Sequence, residues 1–207
     1  MSVCWQCGES ASLFCSSCKA LQAPPSNYFA LFEIPVRLNL HSDELQSRFY
    51  ELSRALHPDR FTRRGEMERR YSLEASSILN DAWRTLRDPV KRAEYVLRQN
   101  GFDIGEQRSS NVPPELLEEV FELNMALEEM RGGDESARPQ LEAARTNFVG
   151  MREQVDAQLA EAFQAYDEHG SREKLGEIRG LLNRRKYIQN LVGEVEQSLA
   201  PAAAAAN

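Results

Sequence analysis

No run of about 18 or more uncharged apolar residues occurs in the 207-residue chain, which excludes a membrane-spanning helix. The start, "MSVCWQCGES", has neither a basic stretch leading into an apolar one nor an Arg-rich amphipathic leader, and reads as cytoplasmic. A GxxxxGK[ST] phosphate loop is missing, so any ATP chemistry belongs to a partner. Internal repeats are absent, and no strand pattern occurs outside the cysteine-rich head. Low complexity is confined to "PAAAAAN", expected to be a disordered tail over 201–207.

What the chain does have is 42% hydrophobic residues, enough to build cores, and a net charge of -7 spread unevenly. Residues 1–26 carry one Lys and one Glu; 27–100 carry 13 basic and 11 acidic side chains; 101–207 carry 11 basic and 20 acidic. The acidic second half repels phosphate backbones and argues against nucleic acid as the main partner. The mildly basic middle suits an acidic protein surface.

The patterning predicts an all-α protein behind a small cysteine segment. The pair Pro24-Pro25 marks a stiff linker. Ser42 is expected to cap a helix on which Leu45, Phe49, Leu52 and Leu56 form one apolar stripe. After "HPD" and the polar loop "RFTRRG", a second helix from about Glu66 to Arg87 repeats Tyr71, Ala75, Ile78, Leu79, Ala82, Trp83 and Leu86. Two such helices on a short loop pack antiparallel. "RDPVKRAEYVLRQNGF" adds a proline stop, a further helix and a Gly cap. Three more helices, about Pro114–Met130, Ala137–His169 and Arg172–Leu199, predict an antiparallel bundle. The expected division is 1–26 cysteine segment and linker, 27–100 helical hairpin domain, 101–112 linker and 113–200 bundle.

The helix carrying Leu56 should stop near His57, because proline disfavours the α conformation for the residue before it. An isolated His-Pro-Asp reads most simply as a helix stop with a capping Asp. No serine, cysteine or metal-ligand constellation completes an active site around His57 and Asp59. An HPD between two antiparallel amphipathic helices, the second closing on "NDAWRTLRDPVKRAEY", resembles a J-domain over roughly Tyr28–Gln99. That resemblance implies that His57, Pro58 and Asp59, with the preceding helix, engage a DnaK-type chaperone and trigger its ATP hydrolysis. Ordinary J-domains usually carry a Lys/Arg-dense helix here, whereas "QSRFYELSRAL" has only Arg48 and Arg54, with Glu51 between them. This pattern, with "NDAWRTL", "RAEYVL" and "NGFDI", is similar to the HscB branch of iron-sulfur cluster assembly, whose chaperone is of HscA or general DnaK type. Taken singly, Arg48 and Arg54 also fit a solvated helix face.

In "PELLEEVFELNMALEEM", Leu116, Val120, Leu123 and Leu127 form the stripe expected to face the bundle, while Leu117, Phe121 and Met125 form a second row. The second row fits either an unusually wide buried face or a docking face. The HscB resemblance implies the latter, with Leu117 and Phe121, joined by Lys186 and Tyr187 of the last helix, contacting the IscU-type scaffold that holds the nascent cluster. Glu118 departs from the family, where an apolar residue is common. Met125 is not carried over. Arg184 and Arg185 read as a solvated cationic face.

Cys4, Cys7, Cys15 and Cys18 form two CxxC pairs around a seven-residue gap, shorter than in the usual zinc ribbon. Each pair can wrap a tetrahedral ion, and one zinc on four thiolates would fold a segment too small for its own core. Two disulfides, redox-active pairs and an iron-sulfur cluster are the rivals. Some HscB relatives bear a comparable segment. The leading expectation is a non-enzymatic adaptor that brings scaffold and chaperone together, of unknown oligomeric state. A J-protein for other clients with a dimerising bundle, and a redox or zinc-dependent nucleic-acid factor, are the alternatives.

Overall fold

The computed structural model describes residues 2–103 and 114–200. The chain divides into two compact units, Met1–Val96 and Leu97–Asn207. The expected linker therefore lies mostly, and the expected tail wholly, outside the described residues.

The first unit opens with two short antiparallel strands, β1 (Ser2–Val3) and β2 (Ser10–Ala11), with Ser2 opposite Ala11. α1 (Tyr28–Phe32) is capped by the Asn27 side chain, which accepts from the N–H of Ala30 at 3.0 Å, and buries Phe29, Leu31 and Phe32. α2 (Ser42–Leu56) buries Leu45, Leu52 and Leu56. Ser42 is not its cap, contrary to expectation. Leu45 N–H already bonds the His41 carbonyl at 3.1 Å, so the helix starts one residue earlier and Ser42 is its first helical residue. Asp43 and Glu44 in the first turn offset the positive helix end instead.

α3 (Glu66–Leu86) runs back along α2, burying Ala75, Leu79, Ala82 and Leu86. Phe49 is only half-buried but stacks on Trp83, ring centroids 4.8 Å apart. The segment between the helices is less of a loop than its polarity suggests. Pro58–Phe61 forms a 3-10 turn, and Phe61 is buried there as an anchor. α4 (Pro89–Gln99) begins where proline is favoured, with Asp88 Oδ1 accepting from Val90 and Lys91 N–H at 2.9 and 3.1 Å. It ends at Gly101, whose φ of 74° suits glycine, and Phe102 N–H returns to the Leu97 carbonyl. On α4 the buried Arg92 guanidinium donates to the carbonyls of Leu38 and Leu86, both residues fully buried. The cysteine head belongs to this unit as well: Leu21 N–H donates to the buried Glu68 carboxylate in the first turn of α3 at 3.3 Å.

The second unit is a three-helix bundle of α5 (Leu117–Arg131), α6 (Arg138–His169) and α7 (Arg172–Leu199). A single 3-10 turn, Pro114–Leu116, precedes α5. Gly170, at φ 62°, closes α6, and the Ser171 hydroxyl opens α7 by accepting from Lys174 N–H at 3.2 Å. The α6–α7 register is readable in three side-chain pairs: Arg145 with Glu196, Arg152 with Gln189, and Arg185 with Asp156. Each step of seven and then four residues along α6 is matched by an equal step back along α7, as an antiparallel pair requires. Phe148, Val155, Leu159, Ile178, Ile188 and Val195 lie buried in this bundle.

Replacing Arg92 by Met keeps much of the volume but removes the guanidinium that donates to the carbonyls of two fully buried residues. We expect a loss of about 2–3 kcal/mol in urea unfolding, read on the first unit. A change under about 0.5 kcal/mol would show that these bonds contribute little.

Candidate functional site

Three sites emerge, and the first follows from the end of α2. His57 has φ -57° and ψ 129°, extended rather than helical, as a residue before proline should be. Arg60 N–H then turns to the His57 carbonyl at 3.0 Å, closing the 3-10 turn. The Leu56 carbonyl, left over by the helix, accepts from two α3 hydroxyls, Ser72 Oγ at 2.6 Å and Ser76 Oγ at 3.2 Å. His57 Nδ1 accepts from Asp59 N–H at 3.3 Å and lies 3.6 Å from Asp59 Oδ2. The side chains of His57 and Asp59 are 56% and 86% exposed, so the corner is rigid in its backbone and open to a partner.

The two arginines of α2 differ. Arg54 is exposed in the last turn. Arg48 is committed locally: Nε donates to the Phe32 carbonyl at 3.1 Å, and the guanidinium pairs with Glu33 and with Glu51. It ties α2 to the end of α1, about nine residues and 13 Å before His57.

The second site is on α5. Leu116, Val120, Leu123 and Leu127 are buried as the stripe requires, while Leu117, Phe121 and Met125 are 56%, 65% and 51% exposed. The wide buried face is thereby excluded. Met125 lines a groove of about 570 Å³ against α6, with Glu122 and Glu129 beside it and Ala143 and Ala144 opposite. Lys186 is exposed and Tyr187 half-buried; burial, then the charge of Glu194, pushes the Tyr187 hydroxyl up. Met130 and Arg131 of α5 share a groove with Glu194, Gln197 and Ser198 of α7. Phe121 lies nine or ten residues back along α5 and Tyr187 seven to eleven back along α7, about 14–15 Å and 10–17 Å, so the two stand at a similar level of the bundle. Arg185 is no solvated cation: α7 packs on α6, and its guanidinium meets both carboxylate oxygens of Asp156.

The third site is the head. Its four sulfurs lie within 4.8 Å of one another, Cys4–Cys18 and Cys7–Cys15 at 3.6 Å. Four thiolates about 2.3 Å from one ion form a tetrahedron with edges of about 3.8 Å, so the cluster fits a single metal ion. The two knuckles are built alike. Gly8 N–H bonds the Cys4 carbonyl and Lys19 N–H the Cys15 carbonyl, both at 3.0 Å, and Gly8 and Lys19 share positive φ, 77° and 61°. Burial disfavours a Cys4 thiolate, but the N–H groups of Cys7 and Gln6 and the thiols of Cys18 and Cys7 outweigh it, bringing its pKa down to about 6. At Cys7 an N–H from Glu9 is outweighed by burial and by hydrogen bonds to the other three sulfurs, and the thiol is pushed up to about 12. Cys15 is lowered, chiefly by the Cys18 N–H; Cys18 is raised, burial and its bond to Cys4 overcoming the Ala20 N–H.

Sequence patterns did not point to Ser72, Ser76, Glu68 or Gln22. These are single polar residues on or beside apolar runs, and only the fold brings them to the Leu56 carbonyl, the head backbone or Cys4.

A thiol of ordinary acidity carries its proton at neutral pH, so ligation by four thiolates must displace protons. Adding a divalent thiophilic ion at pH 7 in weak buffer should acidify the solution, and affinity should rise with pH. Binding without proton release would contradict four-thiolate ligation.

A family model described as the HSCB C-terminal oligomerisation domain matches residues 112–196. The iron-sulfur cluster co-chaperone protein HscB of Mus musculus is 31% identical over 206 residues, covering 96% of this chain and 83% of that protein. Its Homo sapiens counterpart is 28% identical with the same coverage. The crystal structure of human co-chaperone protein HscB matches with a TM-score of 0.71 at 26% identity, covering 97% of this chain and 100% of that one. Chaperone HscB from Vibrio cholerae gives 0.57 at 30%, covering 83% and 96%. With a hairpin of J-domain type followed by the matched bundle, this chain belongs to the HscB family of co-chaperones.

Proposed function

We propose that this co-chaperone of iron-sulfur cluster assembly is a non-enzymatic adaptor with two protein partners. The HPD corner, His57, Pro58 and Asp59, with Arg54 and the α2 surface, engages an HscA- or DnaK-type chaperone and stimulates its ATP hydrolysis. Leu117 and Phe121, with Lys186 and Tyr187, bind an IscU-type scaffold. Arg48 contributes to the chaperone face through its position on α2 and its hold on α1. The functional division is then 27–100 for the chaperone, 113–200 for the scaffold, and 1–26 for the metal.

One observation carries this reading: among the described residues two features lie exposed, the HPD corner and an apolar row on α5. Large exposed apolar side chains in line favour a protein contact over a solvated surface. The head holds one structural zinc ion, supplying a cross-link that the small segment lacks in apolar contacts. Sulfurs gathered this tightly suit one ion, whereas bridging sulfides between two irons would spread them. A reducing, cytoplasmic setting suits four thiolates kept for a metal. A second reading, a bundle that self-associates through the same row, is favoured by the oligomerisation description of the matching family.

His57→Gln should reduce chaperone ATPase stimulation to the unstimulated rate while leaving stability within about 0.5 kcal/mol, since the side chain is exposed. Retained stimulation would contradict the corner's role. Leu117→Ala/Phe121→Ala should weaken scaffold binding at least about 30-fold, as for a hot spot worth 2 kcal/mol or more. Unchanged scaffold affinity, with a dimer in sedimentation that the double variant dissolves, would favour self-association instead.

A further inference from the structure

The Gln22 side chain reaches Cys4 from outside the two knuckles. It is buried, 4% exposed, and both ends of its amide are committed. Oε1 accepts from the backbone N–H of Trp5 at 3.2 Å. Nε2 donates to the Ala20 carbonyl at 2.8 Å and approaches Cys4 Sγ at 3.3 Å. A backbone N–H can only donate and a carbonyl can only accept, so these two neighbours fix which end of the amide is nitrogen. Gln22 must therefore present an N–H to the Cys4 sulfur. Gln6 N–H points to the same sulfur at 3.4 Å.

We infer that Gln22 is a positioning residue of the metal centre, donating an N–H···S hydrogen bond that favours Cys4 as a thiolate ligand. The inference rests on the single-metal reading of the four cysteines. Four thiolates around a divalent ion leave the site with a net charge of -2, placed partly out of water. An N–H directed at one sulfur draws off part of that charge without competing for the metal, because the amide nitrogen has no free lone pair to offer. The same amide holds Trp5 and Ala20, one residue beyond Cys4 and two beyond Cys18. It thus links both knuckles and fixes where their sulfurs converge. Groups of this kind, outside the ligands themselves, typically carry a 10- to 100-fold effect on metal affinity.

Substitutions separate the electronic role from simple packing. Gln22→Glu keeps the shape but puts an oxygen in place of Nε2, facing both the Cys4 sulfur and the Ala20 carbonyl. Gln22→Met keeps much of the volume and removes all three bonds. The measurement is a cobalt(II) titration of the full-length apo-protein with a competing chelator, followed by the thiolate-to-cobalt charge-transfer band. The intact protein should give a tetrahedral four-thiolate spectrum at one ion per chain. Gln22→Met should bind about tenfold more weakly, and Gln22→Glu more weakly still. At saturating cobalt both should shift the charge-transfer band to lower energy, because a thiolate without its N–H donor gives up an electron more readily. A four-thiolate spectrum in the saturated variants shows that the site still assembles, so weakened binding then does not come from a misfolded head.

Unchanged affinity and band position would overturn the inference. Weakened binding with an unshifted band would also overturn it, leaving Gln22 a packing residue. Absence of a four-thiolate spectrum in the unsubstituted protein would instead overturn the metal reading beneath it.

Discussion

Pro58 keeps His57 out of the helical region, and the Arg60 N–H that a continued helix would bring to the Leu56 carbonyl goes to the His57 carbonyl instead, so the carbonyl of Leu56 ends α2 with no helical partner. An unpaired carbonyl in this buried place would cost about 1–3 kcal/mol. Ser72 and Ser76, one turn apart on α3, both supply it with a hydroxyl. The exit of α2 is thereby tied to the antiparallel helix, and the direction of the following corner is fixed by that tie. Phe61 anchors the far side of the turn in the core. What stays outside is the imidazole and the carboxylate, displayed on a backbone with little freedom. The first unit is thus arranged around a helix that stops early and is made to stop in one orientation.

Much of this architecture was readable from residue spacing. The α2 and α3 stripes and the two apolar rows of α5 follow from a period of 3.6, and the break at His57 from Pro58; spacing left open whether the second α5 row is buried, and the exposure of Leu117, Phe121 and Met125 decides it. Local chemistry was read less well. Ser42 has the right side chain for a cap, yet the chain enters the helix at His41, because the first i to i-4 bond decides the boundary. "RFTRRG" looks uniformly polar, and spacing cannot say that its single Phe61 turns inward. Arg48 looked like a free cation on a partner-facing helix. The Phe32 carbonyl and Glu33, close to it only in the fold, and Glu51 on its own helix engage all three guanidinium nitrogens. Arg185 was misread for the same reason, its partner Asp156 being 29 residues away on α6. At the head, the CxxC spacing named the four sulfurs, but the left-handed turn at Lys19, matching Gly8, has no residue-type signal.

The proposed adaptor role would rest on joining two unlike surfaces. The HPD corner is polar, small and rigid; the α5 row is apolar and spread along two turns of helix. A chain that binds one partner through each converts their meeting into a near-intramolecular event, at effective concentrations of about millimolar for short linkers. The acidic charge of 101–207 and the slightly basic charge of 27–100 give the two surfaces different electrostatic preferences, which on the proposed adaptor reading would favour different partners. The head adds to the first unit a cluster of four cysteines able to hold a metal ion, joined to α3 through Leu21 and Glu68.

The adaptor account is tested most directly by the ATPase turnover of an HscA- or DnaK-type chaperone measured with this protein, with an IscU-type scaffold, and with both. The account predicts that the two together raise turnover well beyond the sum of their separate effects. Stimulation by the protein alone that the scaffold leaves unchanged, or raises only additively, would contradict it.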